Sequence, residues 1–260
     1  MPGGKLLQSH RLAYQVMKSQ IEESGEYVVN NEQLAKAKKL QNIRAAQSYL
    51  WSQVPITPSA SSYVFQVKNG VANIGNNGLL PMETRLKDQD VFFTYALGFY
   101  LLCTATGSNN GSFQFELMTF PSANFFGSLP FGVDINRLVG LWTSGSLNVK
   151  VNGETLTPQW DLGQHLYIPQ TQVLAAPGPS STAPFFDQRD MSEDGFCITE
   201  PNWIINGGND NQYQVVYPQN YGQILVPDPA AYNWRFSLVM KWQGFLAQNA
   251  STIMNPGGGK

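Results

Sequence analysis

The chain reads as a mainly β protein, an antiparallel barrel or two-sheet sandwich that carries a helical arm at its N-terminus. Three observations lead there. Residues 5–51 are rich in Ala, Gln and Lys and patterned like helices, whereas from Val54 onward strand-length apolar runs alternate with turn residues. Charge divides near the same place: residues 1–44 hold 7 Lys/Arg against 4 Asp/Glu, and the remainder holds 9 against 14. Charged residues are only 13% of the 260, about half the ~25% usual in soluble domains, so much of the surface is suited to a protein partner or a sugar rather than to free water. One large β domain with an appendage is an ordinary reading at this length, and the 42% hydrophobic content is ample for its core. The expected division is a basic helical arm over 1–53, a β body over 54–250 and a flexible tail over 251–260.

The arm comes first. Leu6, Ala13, Val16, Met17 and Ile21 recur at roughly helical spacing, and Ser24-Gly25 supplies a stop. A second helix is expected next, capped by Asn30 or Asn31, with Gln33 completing a capping box. Its apolar stripe is Leu34, Ala37, Leu40, Ile43, Ala46 and Leu50. Lys36, Lys38, Lys39 and Arg44 avoid that stripe, and Val54-Pro55 and Thr57-Pro58 end the helix. Such a helix is marginal alone, because most helical stability comes from packing. Leu34, Leu40, Ile43 and Leu50 should therefore dock on the body or on a neighbouring subunit. Lys36, Lys38, Lys39 and Arg44 should face anionic surroundings: nucleic acid, lipid headgroups or acidic protein.

The body opens with Tyr63, Phe65 and Val67 on one face of a strand, and Asn69-Gly70 as a turn. No charge occurs between Asp90 and Glu116, and VFFTYALGFYLLC (Val91 to Cys103) is almost wholly apolar. These 13 residues fall short of the ~20 that span a bilayer as a helix, so a strand buried on both sides and bent at Gly98 is expected. Phe93, Tyr95, Leu97, Phe99 and Leu101 should share one face of it, in the core. SFQFELM follows as a strand, then FPSANFFGSLPFG as an irregular loop. In SLNVKVNGETL, Leu147, Val149 and Val151 alternate with Asn148 and Lys150, and Asn152-Gly153 fits a type I′ hairpin turn. After a Pro/Ser/Gly loop over 175–190, strands are expected at Phe196–Ile198, Trp203–Ile205, Tyr213–Tyr217, Gly222–Val226 and Trp234–Trp242. Eight to ten strands with long loops suit a sandwich or jelly roll.

Catalytic chemistry finds little support. Only His10 and His165 exist, and His10 lies in the arm, so a Ser-His-Asp or Cys-His site would have to use His165, with Asp161 four residues before it. No G-x-S-x-G surrounds Ser144, no Walker or G-x-G-x-x-G pattern appears, and the chain barely assembles a zinc ligand set. His165 in the strand-like HLYIP is expected to be structural. Cys103 and Cys197, each in an apolar stretch, are expected to be two buried thiols. Asp187, Asp190, Glu193 and Asp194, beside Arg189, have oxygens for Ca²⁺ but not the EF-hand spacing, and read as a solvated or intersubunit acidic loop. Neither a cofactor nor an enzymatic activity is expected. Phe125, Phe126, Phe131, Phe185 and Phe186 fall in loop-like segments, where Phe is unfavourable unless a partner covers it. A sugar platform would more often use Trp or Tyr, which tilts the reading toward protein contacts.

Taken together, the basic arm from Lys5 to Arg44, the Asn/Gln/aromatic β body, the Pro-rich loops and LVGLWTSGSLNVKVNGETLTPQWDLGQHLYIPQTQ resemble the jelly-roll capsid proteins of tailless phages. The resemblance implies a structural subunit of a virion shell that assembles with itself, as a trimer or larger, and with other virion proteins. It implies an arm inside the shell against genome nucleic acid, an internal membrane or neighbouring subunits, and it implies no catalytic residues. One jelly roll fits ~205 residues better than two. A carbohydrate-binding or adhesion-type β-sandwich is the alternative. The start MPGGKLLQSHR lacks the apolar region of a signal peptide, so synthesis for the host cytoplasm and residence in the virion are expected.

Overall fold

Two strands of 16 residues, β3 (Val91–Thr106) and β9 (Asn233–Gln248), run antiparallel along their full lengths and form the spine of the larger sheet. The computed structural model describes residues 3–23, 44–57, 60–68, 86–106, 113–119, 135–166, 195–218 and 233–251. β1 (Arg44–Pro55) pairs with the far side of β9. On the far side of β3, β7 (Phe196–Asn206) covers the first half and β4 (Phe113–Met118) the second. The smaller sheet runs β2 (Ser62–Gln66), β8 (Asn211–Val216), β5 (Ser146–Val151), β6 (Glu154–Asp161). Every pairing among these strands is antiparallel.

The two sheets enclose one apolar core. Leu50, Phe92, Leu97, Phe99, Leu101, Leu238, Met240 and Trp242 line it from the larger sheet, and Tyr63, Phe65, Leu147, Val149, Tyr213 and Val215 line it from the smaller one. A ring chain of Trp160, Trp203, Tyr213 and Trp242 crosses between the sheets with centroids 5.0–6.2 Å apart, spacing at which edge-to-face contacts add to area burial. A short helix, α2 (Ile135–Thr143), sends Leu138, Leu141 and Trp142 into the same core. Its i, i+3, i+4 spacing of apolar residues is the signature of a one-faced helix.

The larger sheet is buried on both faces. Helix α1 (Gly3–Glu23) lies on its outer side, where Ala13 and Met17 pack with Val91, Phe93, Tyr95, Ala96, Phe245 and Ala247. His10 and Tyr14 complete the stripe: the His10 ring sits 5.2 Å from Tyr95 and 4.8 Å from Phe245, and Tyr14 is 5.4 Å from Phe245. Positions 10, 13, 14 and 17 are one helical face.

Several sequence expectations require correction. The second helix fails at its C-terminal end, because Arg44–Pro55 is a strand with twelve consecutive partners on β9. Ala46 and Leu50 are four apart, which puts them on one face of a helix and equally on one face of a strand. The expected boundary at residue 53 therefore falls inside β1. Leu34, Lys36, Lys38, Lys39, Leu40 and Ile43 lie outside the described residues, as do Asn69-Gly70 and Gly222–Val226.

Phe93, Tyr95, Leu97, Phe99 and Leu101 are all buried, but they do not share a face. Thr94 is opposite Gly244 and Ala96 is opposite Gln243, so Tyr95 is an extra residue in β3. One inserted residue reverses the parity of the strand. Phe93 and Tyr95 consequently face α1, while Leu97, Phe99 and Leu101 face the smaller sheet. Gly244 makes the bulge possible, since a Cβ there would collide with the Phe93 carbonyl oxygen. The separate strands expected at 196–198 and 203–205 are one strand whose pairing with β3 jumps from Ile198 to Trp203.

Candidate functional site

His165 is the natural place to look for chemistry. It ends a 3₁₀ turn, Leu162–His165, rather than lying in a strand as expected. Asp161 starts that turn by accepting the Gly163 N–H at 2.8 Å, as N-capping aspartates do. The imidazole is fully buried. Trp160 donates its indole N–H to His165 Nε2 at 2.9 Å, and Nδ1 lies 3.0 Å from the Gly195 carbonyl oxygen. Only the neutral ring with its proton on Nδ1 satisfies both partners. Burial lowers its pKa to about 4, against smaller opposing effects of the Gly195 carbonyl and the Asp161 charge. Both nitrogens are committed to fixed groups, so this histidine has no free position for a substrate proton.

The neighbouring groups offer no nucleophile. Cys197 is half-buried and donates its thiol to the Gln164 carbonyl oxygen at 3.1 Å. Burial first, and the Asp161 charge second, push its pKa up to about 11, so the reactive thiolate is scarce at neutral pH. Ser144 donates its hydroxyl to the Gly140 carbonyl within α2 and its following turn. Among the described residues no group of three or more His, Cys, Asp or Glu is placed to hold a metal ion. Nor is any described helix long and apolar enough to cross a membrane.

A second cluster lies on the outer face of the larger sheet beyond α1, and its central residues are already buried within the chain. Trp51, Tyr100, Leu102 and Val239 form a cluster there, with Leu117 and Phe196 beside it. Lys241 stands in this face, opposite Trp51 on β1 and Gly98 on β3. Its ammonium lies 5.4 Å from the Tyr49 ring, 5.7 Å from Trp51 and 5.8 Å from Phe196. Three rings within ~6 Å are attractive to a cation, while partial burial lowers the pKa of the amine. Tyr49 remains 46% exposed at the rim. An arrangement of rings and one cation beside a sheet edge can bind another macromolecule; it contains no acid, base or nucleophile pair.

The outer face of the smaller sheet differs in kind. Val64, Gln214 and Asn148 form one rung across it, and Gln66, Gln212 and Lys150 the next. Gln214 donates to the Ser62 hydroxyl at 2.6 Å. Uncharged amides dominate, and Lys150 is the one charged residue on these two rungs.

Of the sequence-predicted site residues, Leu50 is buried in the intersheet core and Arg44 is exposed at the start of β1. They belong to the β body, not to a helix docked upon it. Phe125, Phe126, Phe131, Phe185 and Phe186 lie outside the described residues, as does the acidic group from Asp187 to Asp194. The Lys241 cluster was not anticipated. Arg235, Ser237, Val239 and Lys241 alternate with Trp234, Phe236, Leu238, Met240 and Trp242, which places Lys241 on the more polar side of β9, but nothing local announces its ring partners. Compared with protein-family models, curated proteins and solved structures, the chain matches none.

Proposed function

We propose that the chain is a structural subunit of a virus shell, a single jelly roll that assembles through its β body and its N-terminal helix. The strand connectivity carries this reading. Among the described strands, with β4 set aside, the first pairs with the last (β1–β9), the second with the second-last (β2–β8), the third with the third-last (β3–β7), and the middle two with each other (β5–β6). That is one long hairpin, four strands out and four back. Rolling it up adds β3–β9 and β5–β8, and this order supports the double Greek key of jelly rolls, a fold of viral capsid and lectin domains. The low charge of the chain and the exposed Tyr49 ring at the rim of the larger sheet favour a protein-covered surface. The subunit would reside in the virion, with itself and other shell proteins as partners, genome or membrane near the arm, and no reaction assigned to it. The amide face of the smaller sheet favours a second reading, a sugar-binding module on the same strand order.

Electron microscopy and size-exclusion chromatography of the purified chain test this. Regular multimers or shells are expected; a monodisperse monomer that shifts with a glycan would replace the shell reading by the lectin. Removal of residues 1–23 is expected to leave β1 and the sandwich folded while abolishing regular assembly. Normal assembly of that truncated chain would take the arm out of the proposal.

A further inference from the structure

The bulge at Tyr95 does more than reverse the faces of β3. Bulges often re-aim a side chain beside a functional site, and this one turns Tyr95 to the outer face of the larger sheet. There its hydroxyl donates to the Gln243 side-chain oxygen at 3.4 Å and also hydrogen-bonds the Gln47 amide. Gln243 stands opposite Tyr49, and Lys241 stands opposite Trp51. Residues two apart on a strand share a face, so Gln47 and Tyr49 on β1 lie beside Lys241 and Gln243 on β9. The result is one strip across three strands, with two carboxamides and a phenol at one end and an ammonium among rings at the other. Gln47 and Tyr49 are exposed, and Lys241 and Gln243 are half-buried. Rings alone hold Lys241: among the described residues no carboxylate pairs with it. Ring faces attract the charge without taking up its three N–H donors, which stay available to an acceptor from outside.

We infer that this strip is a binding site for an acidic sugar, a pyranose that carries a carboxylate, as uronic and sialic acids do. The carboxylate pairs with the Lys241 ammonium, the one charged donor of the strip. The sugar hydroxyls meet Gln47 and Gln243, whose carboxamides donate and accept as hydroxyls themselves do. The Tyr49 ring, 46% exposed and 5.4 Å from the ammonium, offers an apolar face to the C–H groups of the sugar beside that charge. An acidic protein side chain uses the lysine but leaves the amides and the ring unmatched, and a neutral sugar does the reverse. Only a ligand with both parts matches the whole set. The support under the strip is firm: Tyr100 closes over Gly98, where a Cβ would come within 2.6 Å of its ring, and packs 5.9 Å from Phe196, the third ring around Lys241. Its residues stand on strands rather than loops, which favours a fixed geometry. The inference does not depend on the shell reading, because a shell subunit and a free-standing lectin can both carry such a site.

The experiment titrates the full chain with methyl glucuronide, N-acetylneuraminic acid, neutral methyl glucoside, acetate and a tetraglutamate peptide, with binding read by protein NMR. At least one of the two sugar acids is expected to bind ~10-fold or more tightly than the glucoside, acetate and the peptide, the size of a charge-assisted contact. Lys241→Gln should erase that preference for the acid and Lys241→Arg should keep it, with thermal melts showing that both variants fold. Tyr49→Ser should weaken the sugar acid and leave acetate unchanged. Equal affinity for the glucoside and the sugar acids would overturn the inference, as would an unchanged preference in Lys241→Gln. Acetate or tetraglutamate binding as tightly as the sugar acids would also overturn it, leaving Lys241 as a contact for protein carboxylates. So would a folded chain that binds none of the five probes. Electron microscopy of the same preparation reads assembly separately, so each of these failures leaves the shell reading where it stands.

Discussion

The two sheets of this molecule solve the same burial problem differently. The larger is built from strands of 11–16 residues, apart from β4, and is covered on both faces, by the smaller sheet inside and by α1 over part of its outside. The smaller is built from strands of 5–8 residues and, among the described residues, is packed on one face only. A sheet with one wet face writes its structure into alternation, as in Leu147 and Val149 or Tyr213 and Val215. In the stretch of β3 covered on both sides, Val91 to Cys103 is apolar at nearly every position, and its sequence no longer says which side chain points where.

Substitution on opposite faces of β3 is the strongest way to break this contrast. Phe99→Ala, facing the smaller sheet, and Phe93→Ala, facing α1, are each expected to cost ~3–5 kcal/mol in chemical denaturation. Gln212→Ala, on the outer face of the smaller sheet, should stay within ~0.5 kcal/mol. A near-neutral Phe93→Ala would mean that α1 does not make the larger sheet two-sided.

A second measurement concerns the pin between the sheets, because His165 follows β6 while its acceptor Gly195 precedes β7. Its pKa in the folded chain, about 4, lies below the ordinary 6.5. Between those values the unfolded chain binds the proton and the folded one resists it, so stability rises with pH across this window and is complete above it. About 3 kcal/mol should be lost as pH falls from 6.5 toward 4. His165→Gln should flatten the slope of stability against pH in that range, whatever it does to absolute stability. An unchanged slope would reassign the effect to other groups.

The smallest effect belongs to the hairpin of the one-sided sheet. Asn152 and Gly153 have φ of 51° and 82°, the left-handed conformations of a type I′ turn. A Cβ at Gly153 would meet nothing within 4 Å, so Gly153→Val should cost only its conformational penalty, ~1–2 kcal/mol. A calorimetric comparison giving equal stability would show that the turn relaxes freely.

The same contrast explains which parts of the fold were legible. The hairpin at Asn152-Gly153, the alternation in β2, β5 and β8, and the burial of the Val91 stretch could all be read from residue types. The faces of β3 could not, because the bulge at Tyr95 depends on Gly244, some 150 residues away. Nor could β1, whose Ala- and Gln-rich start favours a helix locally and becomes a strand through pairing with β9. α2 was missed although Leu138, Leu141 and Trp142 stand at helical spacing, because a Gly-rich setting concealed nine residues of helix. At the candidate site His165 was legible as structural from the absence of partners in sequence. The Lys241 cluster was not, since its rings come from β1 and β7 and its lysine from β9.

The position of β9 between β1 and β3 also has a consequence for how the chain is made. The larger sheet cannot close until its central strand arrives, about 140 residues after β3 and 190 after β1 begin. At ribosomal speed that is roughly ten to forty seconds. During this interval Leu50, Leu97 and Leu101 wait without the strand that lies beside them in the finished sheet. Pairings this distant in sequence form slowly, and exposed strands invite one another meanwhile. The nascent chain is therefore most vulnerable to aggregation just before its last described strand leaves the ribosome, and the yield of folded protein should depend on chaperones that hold the two flanking strands apart.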